Sequence, residues 1–513
     1  MAPSPILDYI IRRSEMELNP RVTRSGGKLA VNPEGGIVFK EADDKSLFLT
    51  ASGFKLRNSF YYTAKDTLKA LEDLTDVNKD FAYKMAVAKF LSQMLGIRLS
   101  PVVIATREAM KLKPCNLDRW QENISPAEAR ELLKNVIATI MDRPDKIANA
   151  LGYAQYHWNE FRSLPPFYKK GLRNALEKFD PYTLRKFKMK RRKVKLADMI
   201  KALRPRPRNE GLSELYSAVI ENRTDAAIEK GTVITEVLSD STKTKEEKKE
   251  WVEQNLAKLP FNALIRNLRN VPHSNANAQI LFERLEKALR VEAGLPVVKV
   301  ANPFDVLQAG LNSGYAGFIN ASDSALQDFL SKVELVDAGT KVSILVDVSG
   351  SMNGIGVDTA GQYMALLFPT LRNANVKLYA FNMSITDKTN LVALYQSMTP
   401  SSVREMFRRD FRPNGGTALA DSVRVVVAKD SPDLLIVLSD EVSWADERSN
   451  RVFDVGVSVI AINPFPQGRF TVFAPNMPVI KISSIDAKIF YYIPMMANFG
   501  KFKSWIKNWA FGK

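Results

Sequence analysis

Lys341 to Ser351 reads KVSILVDVSGS. Val342, Ile344, Leu345 and Val346 form a near-continuous apolar run, as expected of a parallel strand covered on both faces. The run ends in Asp347, Ser349 and Ser351, which place one carboxylate and two hydroxyls at alternate positions, and Gly350 allows a tight turn between them. Hard-oxygen groups converging at the C-terminal edge of a parallel strand suit Mg²⁺, which prefers oxygen ligands and keeps some of its waters. Alone, D-x-S-x-S also fits ordinary turn chemistry. Specificity has to come from other loops.

Downstream, strand-like apolar runs recur at 376–381, 434–439, 456–463 and 478–483, with helical segments at 357–373, 418–429 and 444–453 between most of them. Alternating strand and helix gives a doubly wound parallel sheet. Two further loops belong to its C-terminal edge. Gly415-Gly416-Thr417 precedes a helix, so Thr417 can offer its hydroxyl at a helix start, and Asp440 ends the strand LLIVLSD. Asp347, Ser349, Ser351, Thr417 and Asp440 together are far more specific than the first loop. D-x-S-x-S, then G-G-T, then an Asp after a buried strand resembles the metal-ion-dependent adhesion site of von Willebrand factor A-like domains. That resemblance implies that these five residues ligate a divalent cation, most simply Mg²⁺, directly or through water. It also implies that the ion can accept an acidic side chain from a protein partner.

Upstream the texture differs. Residues 20–65 are Gly-rich and read as short strands and turns rather than helices. From about residue 65 to 332, helical spacing or helix-start signals recur. They fall at 66–75, 79–97, 126–142, 144–160, 166–179, 181–191, 196–203, 211–221, 223–238, 246–258, 260–269, 274–293, 303–312 and 323–332. Ser125-Pro126-Ala127-Glu128 is a capping box and Asp180-Pro181 an N-cap with proline in the first turn. Many short helices joined by short loops predict a solenoid-like region, although no clean sequence period marks it. The expected division is therefore 1–337, helical, and 338–513, α/β.

The chain has 513 residues with 73 Lys+Arg against 56 Asp+Glu, a net charge of +17. Such an excess favours polyanionic partners. It is concentrated: Tyr168 to Arg208 holds 16 Lys+Arg and 3 Asp+Glu, which is +13 in 41 residues. On a helix from Pro181, Arg185, Lys188, Arg192 and Lys195 recur at spacings of three and four, with Lys186, Lys190 and Lys193 as an adjacent row and Arg191 between them. No base-reading motif is visible, so the patch predicts recognition of RNA backbone and shape.

This half resembles the TROVE module of Ro autoantigen proteins. VNPEGGIVF at 31–39 and Phe60-Tyr61-Tyr62 resemble its N-terminal signature, Lys169 to Asp198 a second segment, and LPFNALIRNLRN at 259–270 its most specific stretch. The resemblance implies a ring of HEAT-like helical repeats closed by the A-like domain. Single-stranded 3′ ends of misfolded RNA would enter the hole, and small noncoding Y RNAs would bind the basic outer surface. Carried over residue by residue, it marks Lys169, Lys170 and Arg173 at a helix start, Lys186 and Lys188 around Phe187, and Arg266 and Arg269 in the RNL stretch. The chain departs from the pattern at Lys195-Leu196-Ala197-Asp198, where the family commonly has a histidine, and at FLTASGFKLRNSFYY.

Other classes find little material. One cysteine, Cys115, excludes an intrachain disulfide framework and a cysteine-based zinc site, and fits a cytoplasmic setting. No apolar run approaches membrane-spanning length. With His157 and His273 as the only histidines, and only Glu441 and Asp358 near the metal loops, no catalytic pattern forms and no enzyme is expected. The expectation is a monomeric RNA-binding protein, in which the metal site recruits an acidic partner such as RNA-decay machinery. The alternative is a metal-dependent protein-interaction scaffold. The basic amphipathic tail, with Phe502, Trp505, Ile506 and Trp509 on one face, fits a membrane, RNA or a terminal helix packed back on the protein.

Overall fold

The computed structural model describes residues 22–25, 29–31, 37–39, 44–52, 64–158, 164–186, 194–221, 242–257, 259, 261–292, 295–297, 302–440, 456–465, 479–483 and 485–512. The helices expected at 223–238 and 444–453 lie outside them. The chain forms two compact units: residues 1–19, 28–229 and 503–513, and residues 20–27 and 230–502. The change of texture near 337 falls inside the second unit.

The described strands are β1 (Val22–Ser25), β2 (Leu29–Val31), β3 (Ile37–Phe39), β4 (Arg290–Glu292), β5 (Leu295–Val297), β6 (Lys341–Asp347), β7 (Asn375–Phe381), β8 (Ile385–Asp387), β9 (Leu434–Leu438), β10 (Ser458–Asn463) and β11 (Val479–Ser483).

In the first unit, the helices Ala64–Val77, Phe81–Gln93, Ser100–Lys111, Pro126–Ile140, Pro144–Trp158 and Pro166–Leu176 follow in order, and each touches helices one or two places along the chain. That neighbour pattern is the stacking of a helical solenoid. Two elements were not expected. Asp44–Ser52 is a helix inside the stretch read as strands and turns. Its Leu47, Phe48 and Ala51 are fully buried, and Phe48 packs on Phe90 at 5.8 Å, so tertiary burial decides its state. Ser100–Lys111 contains Val102-Val103-Ile104, which locally favours a strand. It is helical because Pro101 starts it and its neighbours bury Val102 to Ala105 completely.

The interior of this unit carries charge. Lys84, fully buried, lies 2.9 Å from Glu108 and 2.7 Å from Glu122, and Lys111 lies 2.7 and 3.1 Å from the same two carboxylates. Burial pushes the Glu108 carboxyl up. Nearby, Arg107 pairs with Asp76, and Glu72 accepts from Tyr153 at 2.6 Å, with His157 at the same distance. His157 is thus a structural side chain among aromatics.

Residues 503–513 belong to this unit too. Trp505 and Trp509 meet the edge of Phe90 at 5.7 and 5.8 Å. Lys89 stands 4.9 Å over the Trp509 ring and donates to the Ala510 carbonyl at 2.7 Å. Lys503 and Lys507 reach Asp80 at 3.0 and 3.1 Å. Of the fates open to the tail, packing on the protein is the one adopted.

The second unit contains the sheet, in the order β1-β11-β10-β9-β6-β7-β8. β11, β10, β9, β6 and β7 are parallel, and the edge strands β8 and β1 are antiparallel. This is the doubly wound A-like architecture, with β6 central and the order reversing between β6 and β9. A short strand in the Gly-rich start was expected, but not its place: β1 pairs with β11 and caps the far edge. One face packs Leu345, Tyr379, Phe381, Leu435, Val437, Val459 and Val479 against Leu419, Ala420, Val423 and Val426 of the helix Leu419–Asp430. The one polar side chain inside β6, Ser343, donates to Asp430 at 2.8 Å, as does Tyr379 at 3.0 Å.

Two substitutions check this description by denaturant unfolding. Lys84→Ala leaves Glu108 and Glu122 buried with one cation between them and should cost about 3–5 kcal/mol. Trp509→Ala removes a half-buried ring from Phe90 and Lys89 and should cost about 1–3 kcal/mol; an unchanged midpoint would mean that the tail is not docked.

Candidate metal centre and basic surface

The oxygen cluster is built by neighbouring strand ends. Val346 of β6 is registered with Leu438 of β9, so Asp347 and Ser439 leave the sheet side by side. Asp347, fully buried, accepts from the Ser349 amide at 2.8 Å on Oδ1 and from the Ser439 hydroxyl at 2.6 Å on Oδ2. The Ser349 and Ser351 hydroxyls are 3.1 Å apart. The G-G-T loop is laced to this turn: the Gly350 amide donates to Gly415 O at 3.0 Å and the Asn414 amide to Val348 O at 2.7 Å. Thr417 and Asp440 are both buried, and the Asn463 side chain donates to Asp440 O at 3.1 Å. The five expected positions therefore converge on one sheet edge.

The tight turn expected at Gly350 is a short 3-10 helix that Gly350 opens, and a Cβ there would meet Gly415 O at an ordinary 3.5 Å. Near the cluster, Gly354 at 73° and Gly415 at 70° take positive φ. Ser439 was overlooked. Its signal was available, since it precedes Asp440 where the strand leaves the core.

Burial raises the Asp347 carboxyl from 3.8 to about 6, against the hydrogen bonds from Ser439 and Ser349 and with the charge of Asp440 adding to the rise. A buried carboxylate that resists ionisation beside a second carboxylate, with hydroxyls around both, fits a hard divalent cation, which would stabilise the charged form. Asp347, Ser349, Ser351, Thr417 and Asp440 would hold it. Among the described residues no group of three or more His, Cys, Asp or Glu side chains forms a metal cage. Of the two carboxylates considered for hydrolysis, Asp358 is ion-paired with Arg404 at 2.8 Å and Arg408 at 3.3 Å, and Glu441 lies outside the described residues.

The basic residues divide. Lys169, Lys170 and Arg173 stand on the helix Pro166–Leu176, where Lys170 is exposed and Lys169 and Arg173 are half-buried. Arg173 also has a structural task, donating to the Leu203 carbonyl at 2.6 Å, where Arg204 ends the helix Leu196–Leu203 in the left-handed conformation. Arg185 and Lys186 lie on the helix Pro181–Lys186. Lys188, Lys190, Arg191, Arg192 and Lys193 lie outside the described residues, as does the rest of the helix expected to 191. Lys195 is exposed at the start of the helix Leu196–Leu203, its amide donating to Asp198 at 2.8 Å. Lys201, Arg204, Arg206 and Arg208 extend this exposed positive surface, and among the described residues none of these four, nor Lys170 or Lys195, is ion-paired with a carboxylate. Arg266 and Arg269 are exposed in the second unit, around the short helix Phe261–Arg266.

The buried Asp347 gives a pH signature. Its native pKa, about 6, exceeds the unfolded 3.8, so the native state binds the proton more tightly. Without divalent cation, its contribution to stability should be fully present below pH 4 and lost as pH rises through about 6, a change of up to about 3 kcal/mol. Asp347→Asn should flatten that slope in denaturant titrations. At neutral pH, Mg²⁺ should raise the melting temperature of the wild type and not of Asp347→Asn; an equal rise in both would remove Asp347 from the site.

No protein-family model and no curated protein matches the chain. Among solved structures, the Ro (RSR) protein of Deinococcus radiodurans is similar at 16% identity with a TM-score of 0.52, the match covering 89% of this chain and 99% of that one. The chain shares the fold of a Ro protein over nearly its whole length.

Proposed function

We propose that this chain is a member of the Ro family, a non-enzymatic protein that binds RNA through the basic surface of its helical unit. The observation that carries the reading is the exposed positive surface of Lys170, Lys195, Lys201, Arg204, Arg206 and Arg208, without carboxylate partners among the described residues and within a stretch of net charge +13. Phosphates displace condensed counterions from such a surface, and each contact steepens the fall of affinity with salt. The shared fold supports the same reading. Small noncoding RNA on the outer surface and single-stranded 3′ ends of misfolded RNA in a ring are its finer form, for RNA quality control or scaffolding in the cytoplasm by a monomer. Lys169, Lys170, Arg173, Arg185, Lys186, Lys188, Lys190 to Lys193, Lys195, Arg266 and Arg269 remain the proposed contacts, with Arg173 also needed for folding.

A second reading is favoured by the oxygen cluster: the A-like domain holds Mg²⁺ and takes an acidic side chain of a protein partner, such as a component of RNA decay. The two are compatible, since the residues involved are different.

The test is fluorescence anisotropy with a structured RNA carrying a single-stranded 3′ tail. Lys170→Ala/Lys195→Ala/Arg206→Ala should weaken binding by about tenfold or more and lower the salt slope, while Asp347→Ala binds RNA as the wild type does. Equal affinity of the triple variant would sink the assignment of the surface.

A further inference from the structure

Of the six large apolar side chains that stand exposed among the described residues, two flank the oxygen cluster: Ile355, 64% exposed, and Met383, 69% exposed. Ile355 opens the helix Ile355–Thr370, directly behind the D-x-S-x-S turn. Met383 sits between β7 and β8.

Met383 does not stand on a slack loop. The Asn382 amide donates to Ser384 O at 3.1 Å, and the Ser384 amide donates back to Asn382 Oδ1 at 3.0 Å. The Asn382 side chain donates to Asn414 Oδ1 at 2.7 Å and the Ala418 amide to Asn382 O at 2.8 Å, so the loop is tied to the G-G-T loop on both sides of Thr417. Met383 Sδ lies 3.2 Å from where a Cβ on Gly416 would stand, which places the methionine across Gly416, next to Thr417. The held backbone presents the exposed Met383 side chain beside the polar site, where an apolar group of a bound segment can cover it.

We propose that Ile355 and Met383 form the apolar rim of a docking surface whose occupant is a segment of another protein carrying a carboxylate beside an apolar side chain. This rests on the divalent-ion reading above, and the rim is an addition to it: the carboxylate meets the ion, and its apolar neighbour covers Met383 and Ile355. On the stretch that leads into Gly415, Arg408 is paired with Asp358 and Arg409 with Glu405, whereas exposed Arg412 has no carboxylate partner among the described residues and favours an acidic segment. A phosphodiester backbone would use the ion but gain little from an apolar rim.

The experiment uses the full chain and immobilised short peptides with a central Asp or Glu next to either Leu or Ser, with Mg²⁺ or EDTA, and calorimetry of Mg²⁺ alone on every variant. The wild type should hold the Leu peptides about tenfold more tightly than the Ser peptides, and only with Mg²⁺. Met383→Ser and Ile355→Ser should erase the preference while binding Mg²⁺ as the wild type does, and Asp347→Ala should hold neither peptide. A protein that binds Mg²⁺ but treats Leu and Ser peptides alike, or holds none, overturns the rim and leaves the ion standing. Mg²⁺-dependent capture of oligouridine that Met383→Ser abolishes overturns it in favour of nucleic acid. A wild type that binds no Mg²⁺ fails the ion reading, and the rim with it.

Discussion

The reversal of strand order between β6 and β9 is the constraint on which the second unit depends. In a doubly wound sheet the loops beyond the strand ends part at the reversal and leave a crevice there. β6 and β9 bring Asp347 and Asp440 to that crevice from positions far apart in sequence, and backbone hydrogen bonds from Gly350 and Asn414 bring Thr417 to its edge. The apolar strands beneath are buried on both faces, so Asp347 emerges from a dry interior with little water to solvate it. Its raised pKa, its hydrogen bonds from Ser349 and Ser439, and its suitability for a hard cation all follow from that position.

Much of this was legible in the sequence. The five strands that continue the parallel sheet were visible because burial on both faces makes them continuous apolar runs. The oxygen cluster was visible because Asp347 and Asp440 follow buried strands, where the switch from apolar to polar is sharp, and Thr417 precedes a helix. What escaped was decided by tertiary contact. Asp44–Ser52 is helical because Phe48 finds Phe90, and Ser100–Lys111 because its β-branched run is enclosed by other helices. Val22–Ser25 pairs with β11, a partner at the far end of the chain that no local pattern could indicate. The Asn382–Asn414 bond acts through geometry rather than through a motif.

The first unit shows the same division. Its capping box at Ser125 and Glu128 was readable from spacing, and both reciprocal hydrogen bonds are present, at 3.3 and 2.9 Å. Its buried charges were not, since nothing local in the sequence announces that Lys84 and Glu108 face inward. Such a network costs desolvation and gains little net energy over an apolar core, but it penalises any packing that separates its members. The tail adds an aromatic and cationic contact from the other end of the chain, on Phe90, Lys89 and Asp80. The apolar face that would suit a membrane is spent on the protein itself, while Lys170, Lys195, Lys201, Arg204, Arg206 and Arg208 have no carboxylate partner among the described residues.

The central claim is that this positive surface holds RNA. Ultraviolet crosslinking of the full chain to RNA in its native cell, followed by mass spectrometry of the crosslinked peptides, tests it most directly. The account expects crosslinks concentrated in peptides between Leu164 and Arg208. Crosslinks confined to the sheet-bearing unit, or none above a background protein of equal charge, would contradict it.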